Sequence, residues 1–227
     1  MTATLEAPGG NCGNPADCYL AAAAAAADLV SSPEVSRRWD EPSALPGMTV
    51  GALAGHLARQ ILLLGAMLDA AGPHLGKETR VMSLLEHYRR APWATAGRDD
   101  EPNVSIRASA TAAAGPDPAI LAARTRAALA RLASRLPEED LARPVLLPWG
   151  PWWLTLADLL RTRMLEIAVH DDDLAYSVGL PAPELPQEVT GMVITLLAAL
   201  ATDRHGPVAM IRALARAERA PGSIAAF

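Results

Sequence analysis

Apolar positions along much of the chain recur every three or four residues, the spacing of amphipathic helices. The clearest example covers residues 49–71, where Thr49 stands at the start as a capping residue and Gly72 and Pro73 follow the end. The apolar stripe consists of Val50, Leu53, Leu57, Ile61, Leu64 and Leu68. We therefore predict a long helix over residues 49–71.

Similar patterns predict three further long helices, over residues 15–30, 117–136 and 155–178. Gly179 and Pro181 end the last of them. Shorter helices are predicted over 77–92, 186–203 and 207–218, whereas 103–115 is either helical or irregular. No segment alternates apolar and polar residues convincingly, so no strand is predicted.

Four long helices bury their apolar faces most simply as a four-helix bundle, so the predicted fold class is all-α. We expect residues 1–14 to be a disordered tail and residues 15–180 to form the bundle. Residues 181–227 are expected to be a helical C-terminal extension that packs on it. The composition agrees, since 51% of the residues are apolar but only 4% are aromatic.

Charge and composition argue against some classes of partner. A net charge of -5, without a run of basic residues, argues against nucleic acid as a partner. Nineteen of the twenty basic residues are Arg, which is typical of a GC-rich, for example actinobacterial, genome. The chain has neither a signal-peptide pattern nor eighteen consecutive apolar residues, so we expect a cytoplasmic protein with no membrane partner.

Two cysteines, Cys12 and Cys18, lie near the N-terminus. A reducing compartment would keep them as thiols, and their spacing does not match a redox motif. We therefore expect free thiols near the frayed N-terminal end, and a disulfide or a redox pair is the less favoured alternative.

The segment RMLEIAVHDDDLA, residues 163–175, carries the first candidate chemistry. Glu166 and His170 lie one helical turn apart and face the bundle interior or its flank. A carboxylate in that position is costly unless it is paired or binds a cation. One interpretation pairs Glu166 with Arg163 and makes His170 a hydrogen-bonded core residue. The other makes both residues metal ligands.

A third candidate ligand, His56, lies on the flank of the helix 49–71. Small neighbours, among them Ala52, Ala54 and Gly55, would allow another helix to approach closely. Two histidines and one glutamate form a ligand set that binds catalytic zinc with one position open, and the same set suits ferrous iron. Asp173 and His205 are alternative ligands.

Several other residues have both a functional and a structural interpretation. Arg59, Arg163 and Asp173 are candidate catalytic residues that either bind substrate or support the ligands, and the two arginines can equally form salt bridges. Asp171 and Asp172 are expected to form a solvated acidic turn. Three tryptophans either line a pocket or fill one end of the bundle (Trp149, Trp152, Trp153). Three arginines form either an anion-binding face or a solvated one (Arg212, Arg216, Arg219). The remaining histidines are interpreted as surface or core residues (His74, His87, His205).

Three segments together resemble one protein family. MTVGALAGHLAR (48–59), RMLEIAVHDDDLAYSVG (163–179) and TDRHGPVAMIRALARAERAPGSIAAF (202–227) are similar to the mycothiol-dependent maleylpyruvate isomerase family of the DinB-like superfamily. The resemblance implies a divalent metal, most often zinc, on His56, Glu166 and His170, with mycothiol as the thiol. The isomerase itself carries an additional α/β domain after the bundle, whereas the residues after Gly179 are predicted here to be helical.

This combination favours a metal- and thiol-dependent isomerase or S-transferase that acts on a small electrophile, as a monomer or a homodimer. Zinc lowers the pKa of a bound thiol, so that no cysteine of the protein is needed as nucleophile. Two alternatives use the same residues. One is a non-catalytic bundle that the metal stabilises, and the other is a metal-hydroxide hydrolase.

Overall fold

The computed structural model describes residues 12–70 and 80–227. Within these residues it contains ten α-helices, two 3-10 turns and two short strands. The helices are α1 (Pro15–Val30), α2 (Pro33–Arg37), α3 (Val50–Asp69), α4 (Leu84–Arg90), α5 (Pro92–Thr95), α6 (Glu101–Ala114), α7 (Pro118–Arg135), α8 (Leu156–Val178), α9 (Gln187–His205) and α10 (Pro207–Ala215). The strands are β1 (Pro144–Leu146) and β2 (Trp153–Thr155), and the 3-10 turns are Leu136–Glu138 and Ala217–Arg219.

Four helices, α1, α3, α7 and α8, pack against one another as the central bundle. Helix α6 lies along α3, α9 packs on α1 and α8, and α10 packs on α9. The prediction of an all-α four-helix bundle with additional short C-terminal helices is therefore confirmed. Helix α3 is long and apolar enough to cross a membrane, but 67% of its apolar window is buried inside the fold, as in a core helix.

The central helices begin and end at residues that the sequence marks. The side-chain oxygen of Thr49 accepts a hydrogen bond from the Ala52 amide (3.1 Å), and that of Thr155 accepts one from the Asp158 amide (3.1 Å). Gly179 ends α8 with φ 74°, a left-handed conformation that glycine adopts without strain. These local signals explain why the predicted bounds agree with the structure to within one or two residues.

The prediction that the chain has no strand was wrong. Strands β1 and β2 form an antiparallel hairpin in which Val145 pairs with Leu154. The amide of Met82 donates to the carbonyl oxygen of Trp153 (2.8 Å), so this hairpin also anchors the segment before α4. Each strand has only three residues, too few for an alternating pattern to be recognised.

The predicted helix 77–92 is shorter in the structure. Residues 77–79 lie outside the described residues, and α4 begins only at Leu84. The cause is a capping box, in which Ser83 and Glu86 each accept a hydrogen bond from the other's backbone amide. The segment 103–115 belongs to the regular helix α6.

The prediction that the two cysteines are free thiols was wrong as well. Cys12 and Cys18 form a disulfide, and Cys18 lies buried at the end of the first turn of α1. Asn14 caps α1 by accepting hydrogen bonds from the amides of Ala16 (2.8 Å) and Asp17 (3.1 Å). The resulting turn places the two cysteine Cα atoms 5.0 Å apart, within the range that a disulfide requires. Residues 1–11 of the predicted tail lie outside the described residues.

His87, on α4, is a buried core histidine with 2% of its surface exposed. Burial, together with the positive charge of Arg163, lowers its pKa to about 4. The indole N–H of Trp152 donates a hydrogen bond to Nδ1 of His87 (3.1 Å), which requires that nitrogen to be unprotonated. The folded protein therefore holds His87 neutral.

This histidine should make folding sensitive to acid. Between pH 6.5, near its pKa in the unfolded chain, and pH 4, the unfolded state binds a proton that the folded state excludes. The contribution of His87 is thus fully present above pH 6.5 and is lost as pH falls towards 4, about 3 kcal/mol in all. His87→Gln keeps a hydrogen-bond acceptor but does not titrate, so its unfolding free energy should fall less over this range. Urea denaturation at several pH values measures the difference, and parallel pH profiles for the two proteins would contradict the expectation.

Candidate metal centre

Helices α3 and α8 pack side by side and bring the three candidate ligands together. Nε2 of His56, on α3, lies 3.6 Å from Oε2 of Glu166, on α8. Nε2 of His170, one turn further along α8, lies 3.4 Å from the same oxygen. All three candidate ligand atoms lie within 4.8 Å of one another. The i, i+4 spacing on α8 and the flank position on α3 thus bring the three donor atoms to one point.

These separations fit a single small cation. Zinc bonds of 2.0–2.1 Å in tetrahedral geometry place the ligand atoms about 3.3 Å apart. The donor set, two imidazole nitrogens and one carboxylate oxygen, suits zinc or ferrous iron. The three side chains keep 13–15% of their surface exposed, so the centre is open on one side.

The charges at the centre are arranged around Glu166. Burial alone would raise its pKa, but the neighbouring imidazole groups of His170 and His56 outweigh burial and hold the pKa well below its ordinary value. For His56 burial acts in the opposite direction and lowers the pKa, because burial disfavours the charged imidazolium. Burial opposes protonation of His170 too, yet the carboxylates of Asp173 and Glu166 raise its pKa to about 9. Without a metal, a proton on His170 thus balances the Glu166 carboxylate.

Asp173 supports His170 from the other side of its ring. Its Oδ2 lies 3.0 Å from Nδ1 of His170, whereas Nε2 of that ring faces Glu166. A carboxylate in this position fixes the orientation and tautomer of a ligand imidazole. The alternative ligands are not brought into the cluster: Asp173 contacts the opposite nitrogen, and Nε2 of His205 lies 2.8 Å from the carbonyl oxygen of Ala225.

One interpretation of the sequence paired Arg163 with Glu166. The structure does not contain this pair. Arg163 donates to Oε1 of Gln60 (2.6 Å) and to Oγ1 of Thr162 (3.1 Å), and its guanidinium lies 5.0 Å from the ring centroid of Trp149. Neither Arg163 nor Arg59 has a carboxylate within 4.0 Å among the described residues. The two arginines therefore add unneutralised positive charge beside the candidate ligands.

The centre opens into a cleft of about 1470 Å³, larger than the roughly 300–1,000 Å³ of most small-molecule sites. Its wall includes the three candidate ligands, both of these arginines and Asp173. Four of the chain's nine aromatic residues also line it: Tyr88, Trp93, Trp149 and Phe227. The cleft thus combines the three candidate metal ligands, positive charge and aromatic surface.

The comparison with known families agrees with this architecture. The family model for the mycothiol maleylpyruvate isomerase N-terminal domain matches residues 19–175, a span that includes all three candidate ligands. This chain belongs to that family. No curated protein and no solved structure shows a significant match. Membership in this isomerase family, within the DinB-like superfamily, confirms the resemblance seen in the sequence.

One further expectation about this isomerase-family domain was wrong. Asp171 was expected to be solvated, but only 2% of its surface is exposed and neither carboxylate oxygen has a hydrogen-bond partner among the described residues. It follows the buried Ile167 by four residues and so lies on the same helix face. Burial raises its pKa to about 7. Asp172, in contrast, is exposed as expected.

Of the other residues that the sequence singled out, some line the cleft and others do not. Trp149 lines the cleft, whereas Trp152 hydrogen-bonds His87 and Trp153 lies in β2. Arg212, Arg216 and Arg219 are exposed and do not line the cleft, and His74 lies outside the described residues. Sequence reasoning missed Tyr88, Trp93 and Phe227, because no spacing relates them to the ligands. Only the scarcity of aromatic residues in this chain marked them as unusual.

Replacing Asp173 with alanine should weaken metal binding by about 10- to 100-fold, because His170 would lose the group that orients its ring. Asp172→Ala is the matched control, since it removes a neighbouring carboxylate that is exposed. Competition with a chromophoric zinc chelator measures both affinities. Equal affinities in the two variants would show that Asp173 does not support the centre.

Proposed function

We propose that this protein binds one divalent metal ion, with zinc as the first candidate, through His56, Glu166 and His170. We further propose that the ion activates a small thiol for isomerisation or S-transfer on an electrophile. Family membership suggests mycothiol as this thiol. The observation that carries the proposal is the convergence of three donor atoms within 4.8 Å at the wall of a large cleft. Structural zinc sites are closed by four protein ligands, whereas three ligands beside open space are typical of catalytic sites.

The metal would supply one piece of chemistry, the lowering of the pKa of a bound thiol so that it is held as a thiolate near neutral pH. The chain supplies the rest. Asp173 keeps Nε2 of His170 directed at Glu166, and Arg59 and Arg163 offer positive charge to an acidic substrate. Both cysteines are engaged in the disulfide, so in the proposed chemistry the thiol is external to the chain.

Addition of a thiolate to a conjugated double bond converts that bond into a single bond. Rotation and loss of the same thiolate complete a cis–trans isomerisation, whereas retention of the thiol group and uptake of one proton from solvent at the neighbouring carbon complete an S-transfer. The cleft residues decide between these outcomes by how they hold the substrate. A water-activating hydrolase and a metal-stabilised bundle without activity are the alternatives.

The test is to follow mycothiol and substrate with zinc-loaded protein. We expect faster loss of free mycothiol with monochlorobimane, or conversion of maleylpyruvate that requires mycothiol, and neither with His170→Ala. Asp172→Ala is the control variant that keeps the site. Hydrolysis of p-nitrophenyl acetate that needs zinc but no thiol would favour the hydrolase. Stoichiometric zinc without any of these reactions would favour a structural metal.

A further inference from the structure

Tyr88, on α4, has a buried hydroxyl group without a hydrogen-bond partner among the described residues. Only 2% of the residue is exposed, yet it is one of the residues that line the cleft. The other buried tyrosine, Tyr19, is satisfied, since its hydroxyl donates to the carbonyl oxygen of Gln60 (3.0 Å). Buried hydroxyl groups in proteins nearly always have a partner, so the one at Tyr88 requires an explanation.

The ring of Tyr88 is held in place by aromatic neighbours. The ring centroid of His87 lies 5.0 Å away, and those of Trp93 and Phe227 lie 5.9 Å away. Trp93 meets the tyrosine ring edge to face, with an interplanar angle of 88°. These three aromatic neighbours restrain the ring that carries the hydroxyl group, as packing does for preorganised binding groups.

Tyr88 also lies within the electrostatic reach of the candidate metal centre. Burial raises the pKa of its hydroxyl, and the carboxylate of Glu166 adds to the rise while Arg163 opposes it. The phenol therefore stays protonated at neutral pH and can donate a hydrogen bond. A protonated donor in a partly dry cleft stabilises negative charge on a ligand oxygen strongly.

We propose that the Tyr88 hydroxyl donates a hydrogen bond to an oxygen atom of the ligand in the cleft and stabilises negative charge on that atom. Its catalytic consequence rests on the proposed function. When a thiolate adds to the β-carbon of an unsaturated carbonyl compound, the C–S bond forms and the double-bond electrons shift towards the carbonyl oxygen. The resulting enolate oxygen accepts the hydrogen bond, and the tyrosine proton stays on Tyr88. Elimination of the thiolate reverses the electron shift.

The test uses p-nitrophenolate as an oxyanion probe and p-nitroanisole as its uncharged analogue, with the purified full chain. Tyr88→Phe should bind p-nitrophenolate about tenfold more weakly, because a hydrogen bond to a charged group is lost. Binding of p-nitroanisole should not change. The pKa of bound p-nitrophenol should rise in Tyr88→Phe, which its absorbance reports. Tyr176→Phe, at a tyrosine that is 79% exposed, is the matched control and should behave like wild type.

Thermal stability supplies a second readout. Removing a hydroxyl that has no partner should leave the melting temperature of Tyr88→Phe equal to or above that of wild type. Equal p-nitrophenolate binding by wild type and Tyr88→Phe, absence of binding to wild type, or a lower melting temperature would each overturn the proposal. These readouts do not depend on thiol chemistry. If wild type consumes mycothiol and Tyr88→Phe does so at the same rate, the role of Tyr88 fails while the proposed function stands.

Discussion

Replacing His56 with alanine should remove stoichiometric metal from the protein. We expect one zinc ion per wild-type chain and at least about a 100-fold loss of affinity in His56→Ala, because even residues that only support a ligand contribute 10- to 100-fold. His56 is the one candidate ligand on α3, so the variant leaves two ligands on a single helix. Elemental analysis after dialysis, and titration against a zinc chelator, measure the change.

The control is His205→Ala, which removes the histidine that the sequence left as an alternative ligand. Its Nε2 contacts the carbonyl oxygen of Ala225, so this variant should load zinc fully. Metal-free His56→Ala should keep its helical circular dichroism, because Oε2 of Glu166 keeps its contact with Nε2 of His170 (3.4 Å). One zinc per chain in His56→Ala at wild-type affinity would rule out the three-ligand centre.

Gly55→Ala should destabilise the bundle by about 1–3 kcal/mol, the usual cost of overpacking. A Cβ atom at position 55 would collide with the carbonyl oxygen of Ala110 and lie 2.7 Å from the amide nitrogen of Ala114, both on α6. Backbone atoms cannot turn aside as a flexible side chain can, so α6 would have to move away from α3. Urea denaturation monitored by circular dichroism measures the loss.

Helix α3 offers its own control in Gly65, where a Cβ atom would meet nothing within 4 Å. Gly65→Ala should therefore gain about 0.5–1 kcal/mol from helix propensity. The two substitutions are chemically identical and lie in the same helix, so opposite signs isolate the contact with α6. A gain in both variants would show that α6 moves aside without cost.

Local signals made much of the fold predictable. Thr49 and Gly179 mark helix ends by hydrogen bonding and backbone conformation within a few residues. The candidate ligands were accessible to the same reasoning, because the spacing of Glu166 and His170 on one helix determines that they share a face. His56 required only the further assumption that α3 and α8 are neighbours.

Contacts between distant segments were not predictable in this way. The burial of Asp171 depends on which helices cover that side of α8, and the β-hairpin depends on pairing between two very short segments. The position of Tyr88 in the cleft wall likewise depends on Trp93 and Phe227, which no spacing connects to it. Residues of this kind make up the part of the candidate site that only the structure shows.

The size of the cleft, about 1470 Å³, has a consequence for the order of events during turnover. A space of this size accommodates a thiol and a second small molecule side by side. Both reactants can then assemble before any bond changes, and no covalently modified form of the protein has to accumulate between them. If the protein acts as proposed, we therefore expect sequential kinetics through a ternary complex, and not the ping-pong pattern of enzymes that carry their own nucleophile.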